Sequence, residues 1–281
     1  MMRLLLFPLS LFLIPFIASG QDTLTSPNTH AILYHAAAKQ PLLVVGLGGS
    51  EGGNAWASGR WKAVREQFLA EGYAFLAVGY FGCKDTPKLL DKIAIDDVYA
   101  AIVAAKTKLG LQNMRVAVIG GSRGGDLALL LGSYYPDINC VVGLSASHAV
   151  FPGHTQEFTT SCWTKSGAEL PFIPVNDAAV PFLMQRNLRK TFEAMLTDTA
   201  AERRSLIPVE RIRGAVLLMS AKGDEIIPAV EMGEKMMARM EKAGFAYPHQ
   251  HLIYEGGHAE PIKHFDEVMV FLRQHFRTGS E

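Results

Sequence analysis

Apolar positions along this chain fall into two rhythms that alternate. One is a short, nearly continuous apolar run bounded by glycine, proline or charge: Pro41 to Gly46, Tyr73 to Tyr80, Val116 to Ile119, Ile138 to Leu144 and Gly214 to Ser220, with His249 to Tyr254 as a further expected strand. Runs of that length, without polar alternation, are expected of strands buried on both faces. The other rhythm is helical. Trp61, Val64, Phe68 and Leu69 share a face within Trp56 to Ala70. Ile95, Val98, Ile102, Ala105 and Leu109 recur at steps of three and four, with Asp96 and Asp97 at the favoured N-terminal end and Gly110 as a stop. Further helices are expected from Asp126 onward, over Ala229 to Ala243, and over Pro261 to Phe276. Ahead of all this lies a polar lead-in, residues 21–40, which holds an edge-strand candidate at Ala31 to His35. Strand and helix in alternation predict an α/β fold with a doubly wound, mainly parallel sheet. Residues 148–206 break the rhythm: they are polar, with scattered prolines and aromatics, and turn helical around Phe182 to Leu196. That stretch reads as a lid or cap insertion over a site. No internal repeat is present.

The first twenty residues differ in kind. Met1-Met2-Arg3 is cationic, Leu4 to Ile17 is almost wholly apolar, and Ala18-Ser19-Gly20 supplies small residues before Gln21. This is the pattern of a cleaved secretory signal peptide, and its apolar run is shorter than the ~20 residues that span a bilayer. No cysteine follows to carry a lipid, and no later segment is long and apolar enough to insert stably in a membrane. The expectation is an exported protein, periplasmic or secreted, with residues 21–281 forming one domain. The 281 residues carry 27 basic and 27 acidic side chains. That balance offers no electrostatic attraction for nucleic acid or an anionic surface. Oligomeric state is not legible. Cys83, Cys140 and Cys162 leave room for one disulfide and one free thiol, and Cys140, inside an apolar run, reads as a buried small hydrophobe. Their spacing matches no zinc pattern.

The chemistry-bearing stretch is Met114 to Leu131. An apolar run leads into Gly120-Gly121-Ser122-Arg123-Gly124, and a helical run follows within a few residues. G-x-S-x-G between strand and helix is the nucleophile elbow: a sharp, strained turn that lifts the serine hydroxyl above the sheet edge. The Arg123 amide, at the helix N-terminus, is placed to stabilise an oxyanion. Its side chain is placed either to hold a substrate carboxylate or simply in solvent. The same pattern recurs at Gly48-Gly49-Ser50-Glu51-Gly52, but there the chain continues as loop. A glycine loop after an early strand suits the other half of an acyl-transfer site, so Gly49 and Ser50 are expected in an oxyanion loop.

A serine nucleophile needs a base, and the base an acid to orient it, in the chain order Ser, Asp or Glu, His, each just past a strand. Asp224 follows the run ending at Ser220, in a turn closed by Pro228, with Glu225 as competitor. His258 follows Tyr254 behind two glycines. His249 and His251 fall at or inside a strand and His264 on the last helix, so position selects His258.

Several motifs together resemble a known family: Tyr80-Phe81-Gly82, Ile119 to Leu129, Ile207 to Gly214, Asp224 to Pro228, and Gly257-His258-Ala259-Glu260-Pro261. They look like the C-terminal catalytic domain of the acyl-CoA thioesterase and bile acid-CoA:amino acid N-acyltransferase family, a branch of the α/β-hydrolases close to dienelactone hydrolase. The likeness runs from about Pro41 to Phe276. Ile207 to Gly214 is its most family-specific piece. The resemblance implies an α/β-hydrolase fold and cleavage of carboxylic esters or acyl thioesters by Ser122, His258 and Asp224 through an acyl-enzyme, with no metal or cofactor. Mammalian members carry an N-terminal β-sandwich domain, for which no room is expected here. Some members use Cys as nucleophile, so Ser122 favours hydrolysis over a dedicated amidation. Acyl-CoA is cytosolic, which points an exported enzyme toward other small-molecule acyl esters or thioesters. A prolyl-oligopeptidase-like peptidase, an acyltransferase and a catalytically silent binding module are the alternatives.

Overall fold

The computed structural model describes residues 19–36 and 42–277. Its frame is an eight-stranded sheet in the order β1-β2-β4-β3-β6-β7-β10-β11. These are β1 (Ser19–Leu24), β2 (His30–Ala36), β3 (Leu42–Leu47), β4 (Ala74–Gly79), β6 (Arg115–Gly121), β7 (Ile138–Leu144), β10 (Ala215–Ala221) and β11 (His249–Tyr254). β1 and β2 form an antiparallel pair, and β2 also runs antiparallel to β4. From β4 through β3, β6, β7 and β10 to β11 every pairing is parallel. The doubly wound, mainly parallel architecture is therefore as expected.

Side chains alternate across the pleat. Leu43, Val45 and Leu47 of β3 join one core and Val44 the other, and β6 does the same with Val116 and Val118 against Ala117 and Ile119. The first core is closed by α2 (Ile95–Lys108), α3 (Arg123–Tyr134) and α7 (Ala229–Lys242), the second by α1 (Lys62–Ala70) and α8 (Phe265–Leu272). Each large side chain so buried contributes about 1.5–3 kcal/mol. In α2 Ile95, Val98, Ile102 and Ala105 of the expected spacing are buried, together with Ala101 and Lys106, while Leu109 caps the helix half-buried; Lys106 and Lys108 complement the last turn, and Gly110 follows at a φ of 67°.

Two readings of the N-terminal region are corrected. The strand at Ala31 to His35 is not an edge: it lies within β2, between β1 and β4. The edge on that side of the sheet is β1, which opens at Ser19 in the expected leader and runs into the stretch read as polar lead-in. From Gly20 to Leu24 its residues alternate between half-buried and exposed, the pattern of an outermost strand with little to bury, so no apolar signal marks it. β1 also crosses the expected cleavage point between Gly20 and Gln21; residues 1–18, the rest of the expected leader, lie outside the described residues, as do residues 37–40 of the lead-in and the Pro41 boundary. The expected helix from Trp56 starts only at Lys62, after two single 3-10 turns. The expected last helix opens as a 3-10 turn at Glu260–His264 and closes as a π turn at Arg273–Arg277.

The break at 148–206 is resolved into small elements. A second sheet joins β5 (Ile93–Ala94), β8 (Trp163–Lys165) and β9 (Ala168–Glu169), and three short helices follow: α4 (Val180–Met184), α5 (Leu188–Met195) and α6 (Thr199–Ser205). Phe151, Ile173, Ala194 and Met195 of this stretch share a third core with Ile227 and Met232. The motif Ile207 to Gly214 has a packing role. Ile212 lies against Gly132 of α3, and a Cβ at Gly214 would meet the Asn139 carbonyl at 2.2 Å. Cys140 is buried as expected, and all three cysteines are free, so no disulfide joins them.

Candidate active site

The parallel strands all end on one side, and the loops after β3, β6, β10 and β11 meet there, as ligand crevices do in open α/β sheets. Ser122 sits between β6 and α3 with φ 54° and ψ −126°, a strained backbone for a residue with a side chain. Its neighbours explain how the turn is held. A Cβ at Gly120 would fall 1.9 Å from the Gly124 carbonyl oxygen, and one at Gly124 would fall 2.3 Å from that of Gly48. The Ser122 amide donates to Leu144 at 2.8 Å, and its carbonyl accepts from Gly125 and Asp126 at 2.8 and 3.2 Å. The elbow is thus over-determined from both sides.

Gly49 lies directly beside this turn: its Cβ position is 3.3 Å from Cβ of Ser122 and 3.1 Å from the Gly121 carbonyl. Tyr80 pins the loop by donating its hydroxyl to the Gly48 carbonyl at 2.5 Å, and Gly53 donates to Phe81 at 3.0 Å. That is the structural use of Tyr80-Phe81-Gly82. Among the described residues the amides of Gly49, Ser50 and Arg123 have no partner, which leaves them free to meet an oxyanion.

Asp224 is 1% exposed, just past β10. Its Oδ1 accepts from the amides of Ile226 and Ile227 at 2.8 and 2.9 Å, and its Oδ2 lies 2.7 Å from Nδ1 of His258. A carboxylate only accepts, so Nδ1 carries the proton and Nε2 is left with its lone pair. Glu225, the competing acid, does something else: its carboxylate accepts the His258 amide at 2.9 Å. Ser145, at φ 48°, donates its hydroxyl to the His258 carbonyl at 2.8 Å. The His258 peptide is therefore held at both ends. Ser145 was invisible in the sequence, since only the fold carries the end of β7 to the loop after β11. The three histidines set aside as base candidates are engaged elsewhere: His251 with Ser220 at 2.9 Å, His249 with the Tyr247 carbonyl at 2.9 Å, and His264 with Glu260 at 3.3 Å and stacked on Tyr254.

Ser122 and His258 line one cavity of about 760 Å³, together with Gly49, Ser50 and Arg123. Among the described residues no hydrogen bond yet joins the Ser122 hydroxyl to the imidazole; in substrate-free sites such bonds are often long and tighten with substrate. Trp56 and Trp61, stacked at 4.1 Å, line the same space, as do Val175, Leu183, Phe192 and Met195 from the 148–206 stretch. Of the two placements left open for the Arg123 side chain, solvent is excluded. It is 7% exposed, bound to Asp126 at 3.1 Å, and lies near the Phe151 and Phe192 rings. Burial pushes the Asp126 carboxyl up to about 6 although Arg123 pulls it down. Among the described residues no group of three His, Cys, Asp or Glu side chains is set to hold a metal, and no helix is long and apolar enough to cross a membrane.

Strand order, elbow and crevice together are those of an α/β-hydrolase. Within that class, the chain belongs to the BAAT / acyl-CoA thioester hydrolase C-terminal family, whose model matches residues 101–275. Among curated relatives, acyl-coenzyme A amino acid N-acyltransferase 1 of Mus musculus is 22% identical over 191 residues, covering 66% of this chain and 43% of the relative. Acyl-coenzyme A thioesterase 1 of Rattus norvegicus is 24% identical over 195 residues, covering 69% and 44%. The chain thus spans under half the length of these relatives. Among solved structures, the Pyrococcus furiosus esterase Pf2001 superposes with a TM-score of 0.62 at 18% identity, covering 92% of this chain and 93% of its own. A putative dienelactone hydrolase from Klebsiella pneumoniae does so at 0.58 and 14%, covering 92% and 97%.

The elbow's tolerance is asymmetric. Gly124→Ala should lower stability in urea unfolding by at least about 2 kcal/mol, because backbone faces backbone there. Gly121→Ala, whose Cβ would meet nothing within 4 Å, should change it by less than about 1 kcal/mol. Equal midpoints for the two would contradict the close-approach argument.

Proposed function

We propose that this protein is an exported serine hydrolase that cleaves carboxylic esters or acyl thioesters by way of an acyl-enzyme. The observation that carries the reading is the 2.7 Å contact between Asp224 and His258, made at the rim of a largely apolar cavity that Ser122 also lines.

In the proposed sequence the Ser122 hydroxyl oxygen attacks the acyl carbonyl carbon and its proton passes to Nε2 of His258. The carbonyl electron pair moves onto oxygen, where the free amides of Arg123 and of the Gly49–Ser50 loop stabilise it. Asp224 keeps the imidazole in the right tautomer and favours its cationic form. Collapse expels the alcohol or thiol, which takes the proton from His258, and leaves the acyl group on Ser122. Water repeats the steps in mirror order and releases the carboxylic acid. No step calls for a metal or cofactor. The apolar lining suits the acyl chain, and the 148–206 stretch acts as its cap. A second reading, transfer of the acyl group to an amine, is favoured by the presence of an amino acid N-acyltransferase among the relatives. Amide product on adding glycine or taurine would move the assignment to that reading.

Ser122→Ala should abolish labelling by a fluorophosphonate probe, and Asp224→Asn should lower turnover of a p-nitrophenyl ester about 10³- to 10⁴-fold with the fold intact. Labelling that persists in Ser122→Ala would reject the nucleophile. Export rests on the leader-like pattern of residues 1–20. The protein recovered outside the cytoplasm should begin at Gln21 on N-terminal sequencing; recovery with Met1 to Gly20 attached would reject cleavage.

A further inference from the structure

The acyl-transfer steps use the backbone of Arg123 and leave its side chain without a task. That side chain is a guanidinium buried to nine-tenths in the cavity wall, an expensive place for a charge unless it is paired. Only part of it is paired. Nη1 donates to Oδ2 of Asp126, and Asp126 is otherwise engaged, with Oδ1 accepting the Ser147 amide at 2.6 Å. Among the described residues Nε and Nη2 have no acceptor, and neither is among the polar atoms sealed away from open space without a partner. These two donors form the side-on fork of a guanidinium, spaced to take both oxygens of a carboxylate. The Phe151 and Phe192 rings pack against the guanidinium, with centroids 5.4 and 5.6 Å from its carbon. Among the described residues the one carboxylate lining the cavity, Glu51, lies against Gly48 and Gly49 instead.

We propose that the side-on fork of Arg123 seats an anionic end of the acyl group, so that the preferred substrates are monoesters or monothioesters of dicarboxylic acids. The inference rests on the hydrolase reading above and narrows its substrate class. Asp126 acts as a positioning residue: it holds Nη1 and turns Nε and Nη2 toward the cavity. A substrate carboxylate completes the pairing that the fold leaves open. A neutral acyl chain of equal length would cover these two donors without pairing them, which costs binding.

The test compares mono-p-nitrophenyl glutarate and adipate with the same compounds capped as methyl esters. Wild-type protein should favour the free acids by about tenfold to a hundredfold in kcat/KM, the effect of a charge-assisted bidentate contact. In Arg123→Gln that ratio should fall to about one, and Arg123→Lys should restore part of it. If the Gln variant fails to fold, wild-type protein still decides the matter: free glutarate should inhibit turnover competitively, and glutaramide, its neutral analogue, should not. A wild-type ratio of one or less, with Ser122 labelled normally by the fluorophosphonate, overturns the anion seat alone and leaves the hydrolase reading standing. No labelling and no turnover of either ester overturns both.

Discussion

Everything in the candidate site depends on one strained residue. Ser122 holds a positive φ that a side chain disfavours by roughly 1–3 kcal/mol, and it keeps that conformation because the alternatives are blocked. Gly120 and Gly124 let α3 approach the end of β6 and the loop after β3 at distances no Cβ allows. The same approach brings Gly49 against Cβ of Ser122. Strain at the serine and closeness of the glycine loop are therefore one feature: the tight turn presents the hydroxyl and sets unpaired amides beside it.

The proposed acid and base, Asp224 and His258, are held by a different logic. Nothing strains them; they are tied down by hydrogen bonds. Asp224 is fixed through Oδ1 by two turn amides, so only Oδ2 is left for the imidazole. The His258 peptide is gripped by Glu225 at its amide and by Ser145 at its carbonyl. Ser145 hangs from β7, whose end also receives the Ser122 amide at Leu144. Two loops far apart in sequence are thereby referenced to the same central strands, which is the preorganisation that acyl transfer requires.

Much of this was legible in the sequence, for physical reasons that can be named. Buried parallel strands are apolar throughout, so β7 was read to the residue; β11, the outermost parallel strand with the sequence HQHLIY, was placed by the alternation of strand and helix instead. The glycines around Ser122 mark a turn that only they permit. β1 was missed because an edge strand buries little, and its SGQDTL carries no apolar rhythm. β2 was misplaced as an edge for the same reason, since its outer neighbour went unseen. Glu225 and Ser145 act through contacts between loops, which spacing does not encode. The fate of the Arg123 side chain turned on Phe151 and Phe192, brought over it by a stretch without periodicity.

The most direct measurement is a crystal structure of the protein inactivated by a fluorophosphonate. The adduct should sit on Oγ of Ser122, with its phosphoryl oxygen about 3 Å from the amides of Arg123 and Gly49 or Ser50 and with Nε2 of His258 facing the bonded oxygen. An adduct on any other residue, or a phosphoryl oxygen turned away from those amides, would contradict the account.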